Sequence, residues 1–316
     1  MVDRAERIED KPPYGSVAEL FRDGELLACM AYLFARESGI GLSKEAIIRA
    51  STVAKLKERG WVSASGGLTD RGLAYSCYEY ERQLNLREPL DRLLIEEASG
   101  RGRIADICCG GGATSFALLK AERRERMCGI DAAREPIELM RERLRTEGGY
   151  VRGTRSDAGE TGYAVDCREG GERVETVIGD VHQLPWEEGS FDLAVCRAAL
   201  HYLDARTAVR EMYRVLEAGG KLFLLVHGSG YPLDYLIHRR RIWSMSTIVY
   251  ALQKLRAAWG TKHASGHSQG RFLRRRQLES FLMEAGFRHI RYYTDKHRMI
   301  AGRFPVYFAM VAEKQG

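Results

Sequence analysis

Apolar residues recur along this chain in two rhythms. Over the first hundred residues they follow a helical period. Leu20, Phe21, Leu26, Leu27, Met30 and Phe34 mark one helix, and Ile47, Ala50, Ala54 and Leu56 mark another, with Ser43 as its N-cap. Gly60–Thr69 then reads as two short strands around a Gly66-Gly67 turn, and Thr69-Asp70-Arg71-Gly72 opens a helix running through Tyr80. From residue 103 short apolar runs take over, near 103–108, 126–131, 174–179, 191–196 and 221–226. Amphipathic stretches separate them. Pro136 suits the first turn of one, which carries Ile137, Met140 and Leu144 on one face, and Val209, Met212, Tyr213 and Leu216 line another. A late helix holds Leu278, Phe281, Leu282 and Ala285 and stops at Gly286, and His289–Tyr293 and Pro305–Ala312 read as a terminal strand pair. Gly148–Glu172 is polar and rich in glycine, so it reads as a mobile surface loop. Alternating strand and helix argue for an α/β domain on a parallel sheet, preceded by a mainly helical domain.

The run Arg103-Ile-Ala-Asp-Ile-Cys-Cys-Gly-Gly-Gly112 is the most informative in the chain. A short apolar strand carries Asp106 and breaks into Gly110, Gly111 and Gly112 just before a helix. Glycines there let the backbone turn sharply and approach a ligand, and the helix start offers free N–H groups. This is a nucleotide-binding βα turn, but not the dinucleotide fingerprint, whose third glycine would fall on Ser115. Asp131 closes the next apolar run, 25 residues after Asp106, where an acid commonly holds ribose hydroxyls. Asp180 closes the run Thr176–Asp180, and Phe191-Asp192-Leu193 opens another strand.

The ordered series resembles the class I S-adenosylmethionine-dependent methyltransferases. Their pattern is an acidic residue followed by alternating glycines, then an acid ending the second strand. Gly-Asp-(Ala/Val) ends the third, Phe-Asp-hydrophobic lies on the fourth, and a Leu-x-x-Gly-Gly turn precedes the fifth. Here Leu216-Glu217-Ala218-Gly219-Gly220 supplies that turn, and the likeness covers roughly residues 103–226. It implies a Rossmann-like seven-stranded sheet with helices on both faces and an antiparallel last strand. It also implies S-adenosyl-L-methionine as cofactor. Carried over position by position, Asp106 lies under the methionine end, Gly110 and Gly112 admit the cofactor to the backbone, Asp131 accepts the ribose hydroxyls, and Asp180 with Val181 meets the adenine. Cys196 opens the segment at the junction of cofactor and acceptor. Cys108 stands in place of the first glycine of the pattern. A cysteine is small enough to keep the cofactor, but the backbone is not expected to take a positive φ there.

On the acceptor side, the segment Cys196–Tyr202 lacks the Asn/Asp-Pro-Pro-aromatic pattern of adenine N6-methyltransferases and the Pro-Cys pair of cytosine C5-methyltransferases. A nucleic-acid base is therefore disfavoured. His201 and His227 are the candidate general bases, and Tyr202, Tyr231, Tyr235 and His238 the candidate acceptor contacts. His182 reads as structural. A small-molecule acceptor, anionic or of secondary-metabolite type, fits best. The alternatives are an RNA- or protein-modifying methyltransferase, or a regulator that binds the cofactor without catalysis.

The expected domains are 1–95 and 96–316, the second with a loop insertion at 148–172 and a lid insertion at 228–271. The helices, hairpin and Leu68-Thr69-x-x-Gly72 of the first look like a winged helix. Its Lys44–Arg59 stretch is only mildly basic, which favours a homodimer surface or pocket wall over a DNA reader. The chain carries a formal charge of +6, yet Tyr235–Leu278 holds ten Lys/Arg, three His and no acid, so the remainder is slightly acidic. A lid attracting an anionic acceptor accounts for that asymmetry. The seven cysteines lack paired CxxC spacing and read as reduced thiols of a cytoplasmic protein rather than a metal or metalloid site. No apolar run is long enough for a membrane span, and the N-terminus has no secretory h-region.

Overall fold

The apolar runs after residue 103 become the strands of one large sheet. The computed structural model describes residues 17–38, 48–147, 150–154, 162–167, 173–234 and 273–316. The chain divides into two units, Met1–Asn85 and Leu86–Gly316. Ser43, Ile47, Tyr235, His238 and nearly all of the expected lid lie outside the described residues.

The first unit holds α1 (Val17–Arg22), α2 (Gly24–Glu37), α3 (Ala50–Glu58) and α4 (Arg71–Asn85). Asp23 caps α2 by accepting from the Glu25 and Leu26 amides at 3.0 and 3.2 Å. The apolar stripe of α2 (Leu26, Leu27, Met30, Phe34) packs with Leu20, Leu56, Trp61 and Tyr78. Two strands are expected around Gly66-Gly67, but pairing is limited to one antiparallel bridge, Val62↔Leu68. The intervening serines and glycines offer the core nothing to bury, so the ladder stops after one rung.

The second unit opens with α5 (Pro89–Ala98) and continues through β1 (Arg103–Ile107), α6 (Ala113–Ala121), β2 (Arg126–Asp131), α7 (Arg134–Glu147), β3 (Tyr150–Thr154), β4 (Gly162–Cys167), β5 (Arg173–Ile178) and β6 (Phe191–Arg197). A 3-10 turn (Leu200–Tyr202), α8 (Ala205–Val215), β7 (Leu216–His227), α9 (Tyr231–Asp234), α10 (Arg275–Ala285), β8 (Phe287–Thr294), β9 (Met299–Ile300), β10 (Phe304–Pro305) and β11 (Tyr307–Lys314) follow. The sheet order is β3-β4-β5-β2-β1-β6-β7-β11-β8. The block β5-β2-β1-β6-β7 is parallel, and β11 runs antiparallel between β7 and β8, as expected.

The sheet has nine strands where seven are expected. The extra pair is β3 and β4, inside the 148–172 segment expected as a loop. They form an antiparallel hairpin that extends the β5 edge. An edge strand is held chiefly by its backbone ladder, so a short, glycine-rich stretch can join a sheet without a long apolar run.

The parallel strands are buried on both faces, which is why they read as nearly continuous apolar runs. Ala105 and Ile107 share a core with Val209 and Met212 of α8 and Leu278 and Leu282 of α10. The opposite face carries Asp106 against Ser115 of α6, and Met140 of α7 against Gly129. All five parallel strands end on one edge, and the glycine turn, His201 and His227 gather there.

At that edge Gly228 donates to the Val306 carbonyl at 2.8 Å, and a Cβ there would lie 2.1 Å from the Pro305 oxygen. The Pro305 carbonyl is backbone and cannot rotate away. Gly228→Ala is expected to destabilise the protein by about 1–3 kcal/mol. A thermal melt checks this: an unchanged Tm in the variant would contradict the close approach of β7 and β10.

Candidate functional site

The turn after β1 is held in a conformation that few residues adopt. Cys108, Gly110 and Gly112 have φ of +57, +55 and +79. The expectation that Cys108 avoids a positive φ is therefore corrected: the backbone keeps the left-handed geometry, and the cysteine bears a strain of about 1–3 kcal/mol. The surroundings enforce it. The Cys109 amide donates to the Ile130 carbonyl at 3.0 Å, the Gly112 amide to the Cys109 carbonyl at 2.9 Å, and the Gly110 amide to Asp131 Oδ2 at 2.9 Å. A Cβ on Gly112 would lie 2.7 Å from the Met140 side chain, which would have to shift, and the φ of +79 itself favours glycine there. At Gly110 the space a Cβ would take is open. That opening is where a ligand can meet the backbone.

Asp131 closes β2 beside this turn. Its second oxygen accepts from the Ala133 amide at 2.9 Å. A carboxylate has about four lone-pair sites, so both oxygens can accept a further hydrogen bond each. Asp106 lies beneath, buried, with Ser115 Oγ donating to it at 2.7 Å. Burial pushes its carboxyl up to about 6, and the Ser115 hydroxyl and Arg197 guanidinium only partly offset this.

Asp180 follows β5 and is exposed, while Val181 is buried in the core. The His182 amide donates to Asp180 at 2.9 Å, and His182 Nδ1 lies 2.6 Å from the same oxygen. The amide bond first, with the ring behind it, holds the Asp180 carboxyl below its ordinary range. His182 Nε2 accepts from the Asp204 amide at 3.1 Å, which puts the ring proton on Nδ1. His182 thus ties the β5 end to the start of α8, the structural part expected of it.

The acceptor candidates come together as a row of rings. His201 lies in the 3-10 turn after β6, and His227 ends β7. Both are mostly buried, and their centroids are 4.2 Å apart. Tyr202 lies 3.9 Å from His201, and Tyr231 stacks on His227 at 3.8 Å with an interplanar angle of 8°. Tyr307, not anticipated from the sequence, stands edge-on to His227 at 5.3 Å because β11 pairs it in register with that histidine. Tyr202 forms the exposed end of the row. Tyr235 and His238 lie outside the described residues.

Arg197 is the other residue not singled out from the sequence. Its buried guanidinium pairs with Asp91 of α5 and donates to Thr114 Oγ1 of α6 at 3.0 Å. A cation directly after the apolar run Leu193–Cys196 is the signal that could have found it. The next residue, Ala198, has φ +55 and donates to the Leu225 carbonyl at 2.7 Å. β1 and β6 therefore both leave the sheet through a left-handed, non-glycine residue. Cys196 is fully buried, and its side chain meets Cys108.

Residues 105–224 match the family model of a methyltransferase domain. The uncharacterized methyltransferase YcgJ of Bacillus subtilis is 33% identical over 138 residues, 43% of this chain and 45% of that relative. A demethylmenaquinone methyltransferase of Lactococcus lactis is 23% identical over 207 residues, 64% of this chain and 71% of that protein. The solved structure of Haemonchus contortus phosphoethanolamine N-methyltransferase 2 with S-adenosyl-L-methionine aligns at a TM-score of 0.48 and 16% identity, over 71% of this chain and 52% of that one. The chain spans less than half the length of several curated relatives that it matches, YcgJ among them.

The buried acid has a consequence for stability. Asp106 binds its proton more tightly folded, near 6, than its ordinary 3.8. Its contribution is thus full below the unfolded value and is lost as pH rises through the folded one, by about 3 kcal/mol. Asp106→Asn is expected to remove this slope. Urea denaturation of both proteins across that pH window checks it, and parallel profiles would show that Asp106 does not titrate there.

Proposed function

We propose that this chain is an S-adenosylmethionine-dependent methyltransferase acting on a small-molecule acceptor. The observation that carries the reading is the joining of the glycine turn to the acid of the neighbouring strand, through the Gly110 amide and Asp131 Oδ2 at 2.9 Å. The methyltransferase-domain match over 105–224 supports it. The donor set fits the cofactor. Gly110 leaves open space against bare backbone, Asp131 has acceptor sites to spare for two ribose hydroxyls, and Asp180 with Val181 lies at the next strand end for the adenine. Asp106, read as lying beneath the methionine end, would also set a carboxyl near the cationic groups of a bound cofactor.

The bound cofactor would supply a methyl group on a good leaving group, so the protein's task is mainly alignment. Asp131 and the turn orient the donor. At the same sheet edge, the rings of Tyr202, His201, His227 and Tyr231 would offer an aromatic surface for a ring-bearing acceptor. Several relatives are named for methylating demethylmenaquinone, which supports a ring-bearing substrate. His201 or His227 would take the proton of an acceptor hydroxyl, amine or activated carbon as the methyl group arrives. The first unit is read as an accessory domain that pairs two copies, on the strength of its modest charge between Lys44 and Arg59. Six free cysteines among the described residues support a reducing, cytoplasmic setting.

Asp131→Ala is expected to weaken S-adenosylmethionine binding by about tenfold or more, since hydrogen bonds to a charged group are worth about 1.5–3 kcal/mol. Calorimetry on variant protein shown to be folded measures it, and an unchanged Kd would remove Asp131 from the ribose. His201→Asn and His227→Asn are compared by single-turnover methylation of quinol or phenol acceptors. At least one is expected to lose about 10²–10⁴ in rate while cofactor affinity holds. Full activity in both variants would rule out a histidine base.

A further inference from the structure

Two thiols, Cys108 in the turn and Cys196 near the end of β6, have no part in the proposed chemistry. Cys108 holds φ +57, where glycine would hold the same backbone without strain. Its side chain packs on the core cluster that contains Cys196. The backbone explains the approach. Ile107 and Cys196 are register partners on adjacent parallel strands. The left-handed step at Cys108 turns its side chain back toward β6, where ordinary strand alternation would send it to the opposite face. Neighbouring strands run about 4.8 Å apart and each residue rises about 3.3 Å, so the one-residue offset puts the two Cα atoms roughly 6 Å apart, within the range of about 4.4–6.8 Å that a disulfide spans.

The two sulfurs differ in access. Cys196 is fully buried, whereas Cys108 is partly exposed at the ligand edge. Cys108 beside it, together with burial, raises the Cys196 thiol well above its ordinary range, which leaves Cys108 as the sulfur that reacts first. The other nearby cysteines are engaged elsewhere. Cys109 Sγ lies 4.0 Å from Met140 Sδ, over Gly129, and Cys128 Sγ donates to Glu175 at 3.3 Å.

We propose that Cys108 and Cys196 form an oxidisable dithiol, a peroxide-reactive modification site built into the glycine turn. The Cys108 thiolate attacks one oxygen of hydrogen peroxide. The O–O bond breaks, the other oxygen leaves as hydroxide and takes up the thiol proton as water, and Cys108 becomes a sulfenic acid. The Cys196 sulfur then attacks the sulfenic sulfur. The S–S bond forms, the S–O bond breaks, and the departing hydroxide takes the Cys196 proton as a second water. Two thiols lose two electrons and two protons, and one peroxide becomes two waters. The bond draws the sulfurs to about 2.05 Å and pulls the turn toward β6, away from the geometry that accepts a ligand. This last effect rests on the cofactor reading above; the bond itself does not.

The full-length protein is treated with excess hydrogen peroxide, alkylated, digested and mapped by mass spectrometry, and binding of S-adenosylmethionine is measured on the same samples. A Cys108–Cys196 linked peptide is expected, together with a loss of affinity of about fivefold or more that dithiothreitol reverses. Cys196→Ser and Cys108→Gly, each compared with its own reduced form, are expected to show no peroxide effect on affinity. Two variants are used so that failure of one to fold leaves the other. Absence of the linked peptide overturns the proposal, as does an equal peroxide effect in the variants. A linked peptide with unchanged affinity overturns the effect on the turn. If the reduced protein does not bind S-adenosylmethionine at all, the cofactor reading fails, while the linked peptide still establishes the dithiol.

Discussion

The hydrogen bond from the Gly110 amide to Asp131 ties the ends of two parallel strands together, and the functional edge is built around it. Parallel register alone brings β1 and β2 to the same level. It does not determine what the chain does next. The carboxylate of Asp131 satisfies one amide of the turn after β1 and one of the turn after β2, so both loops are pinned by a single side chain. The Gly179 amide adds β5 by donating to the Asp131 carbonyl at 3.0 Å. Three strand ends are thereby held in one frame, so the proposed ligand would meet backbone whose position is already set. Such preorganisation lowers the entropy lost on binding.

Beneath this frame lies a compact set of buried charges. Arg197 pairs with Asp91 and bonds Thr114, and it also draws down the carboxyl of Asp106 without cancelling the effect of burial. A buried pair of this kind is weak evidence for stability, because desolvation offsets much of the attraction. Its value here is positional. Arg197 joins α5 and the first turn of α6 to the end of β6, and α6 is the helix whose start faces the ligand edge. Losing either partner would leave a charge buried alone, which keeps the arrangement in one geometry.

Strain is concentrated at the same edge. Cys108 and Ala198 both adopt left-handed backbone at the ends of neighbouring strands, where glycine would be free of cost. The amide of Ala198 is fixed by the Leu225 carbonyl and that of Cys109 by Ile130, so the sheet itself maintains the strained residues. The result is a pair of abrupt exits from the sheet. One leads into the glycine turn, and the other carries His201 to within 4.2 Å of His227. Donor side and acceptor side of the proposed reaction are set by two versions of the same backbone step.

Much of this was legible in the sequence because it follows from local rules. Apolar runs buried on both faces announce parallel strands. Asp106 is visible as an acid within such a run, Asp131 and Asp180 as acids that close one, and Gly110 and Gly112 mark a turn that small or absent side chains favour. Pairing across the sheet is not local, so what depended on it stayed hidden. Tyr307 joins the ring row only because β11 lies antiparallel to β7 with Tyr307 opposite His227. The β3–β4 hairpin reads as a polar loop because its order comes from a backbone ladder along β5. Arg197 looks like an interruption of an apolar strand until α5 supplies Asp91, 106 residues away. The left-handed Cys108 breaks a residue-level preference because hydrogen bonds from β2 outweigh the local steric cost. The chain's own pattern thus determined which elements form and where the acids and glycines fall, while tertiary packing decided which side chains meet, since contact across strands depends on register, which no single stretch of sequence encodes.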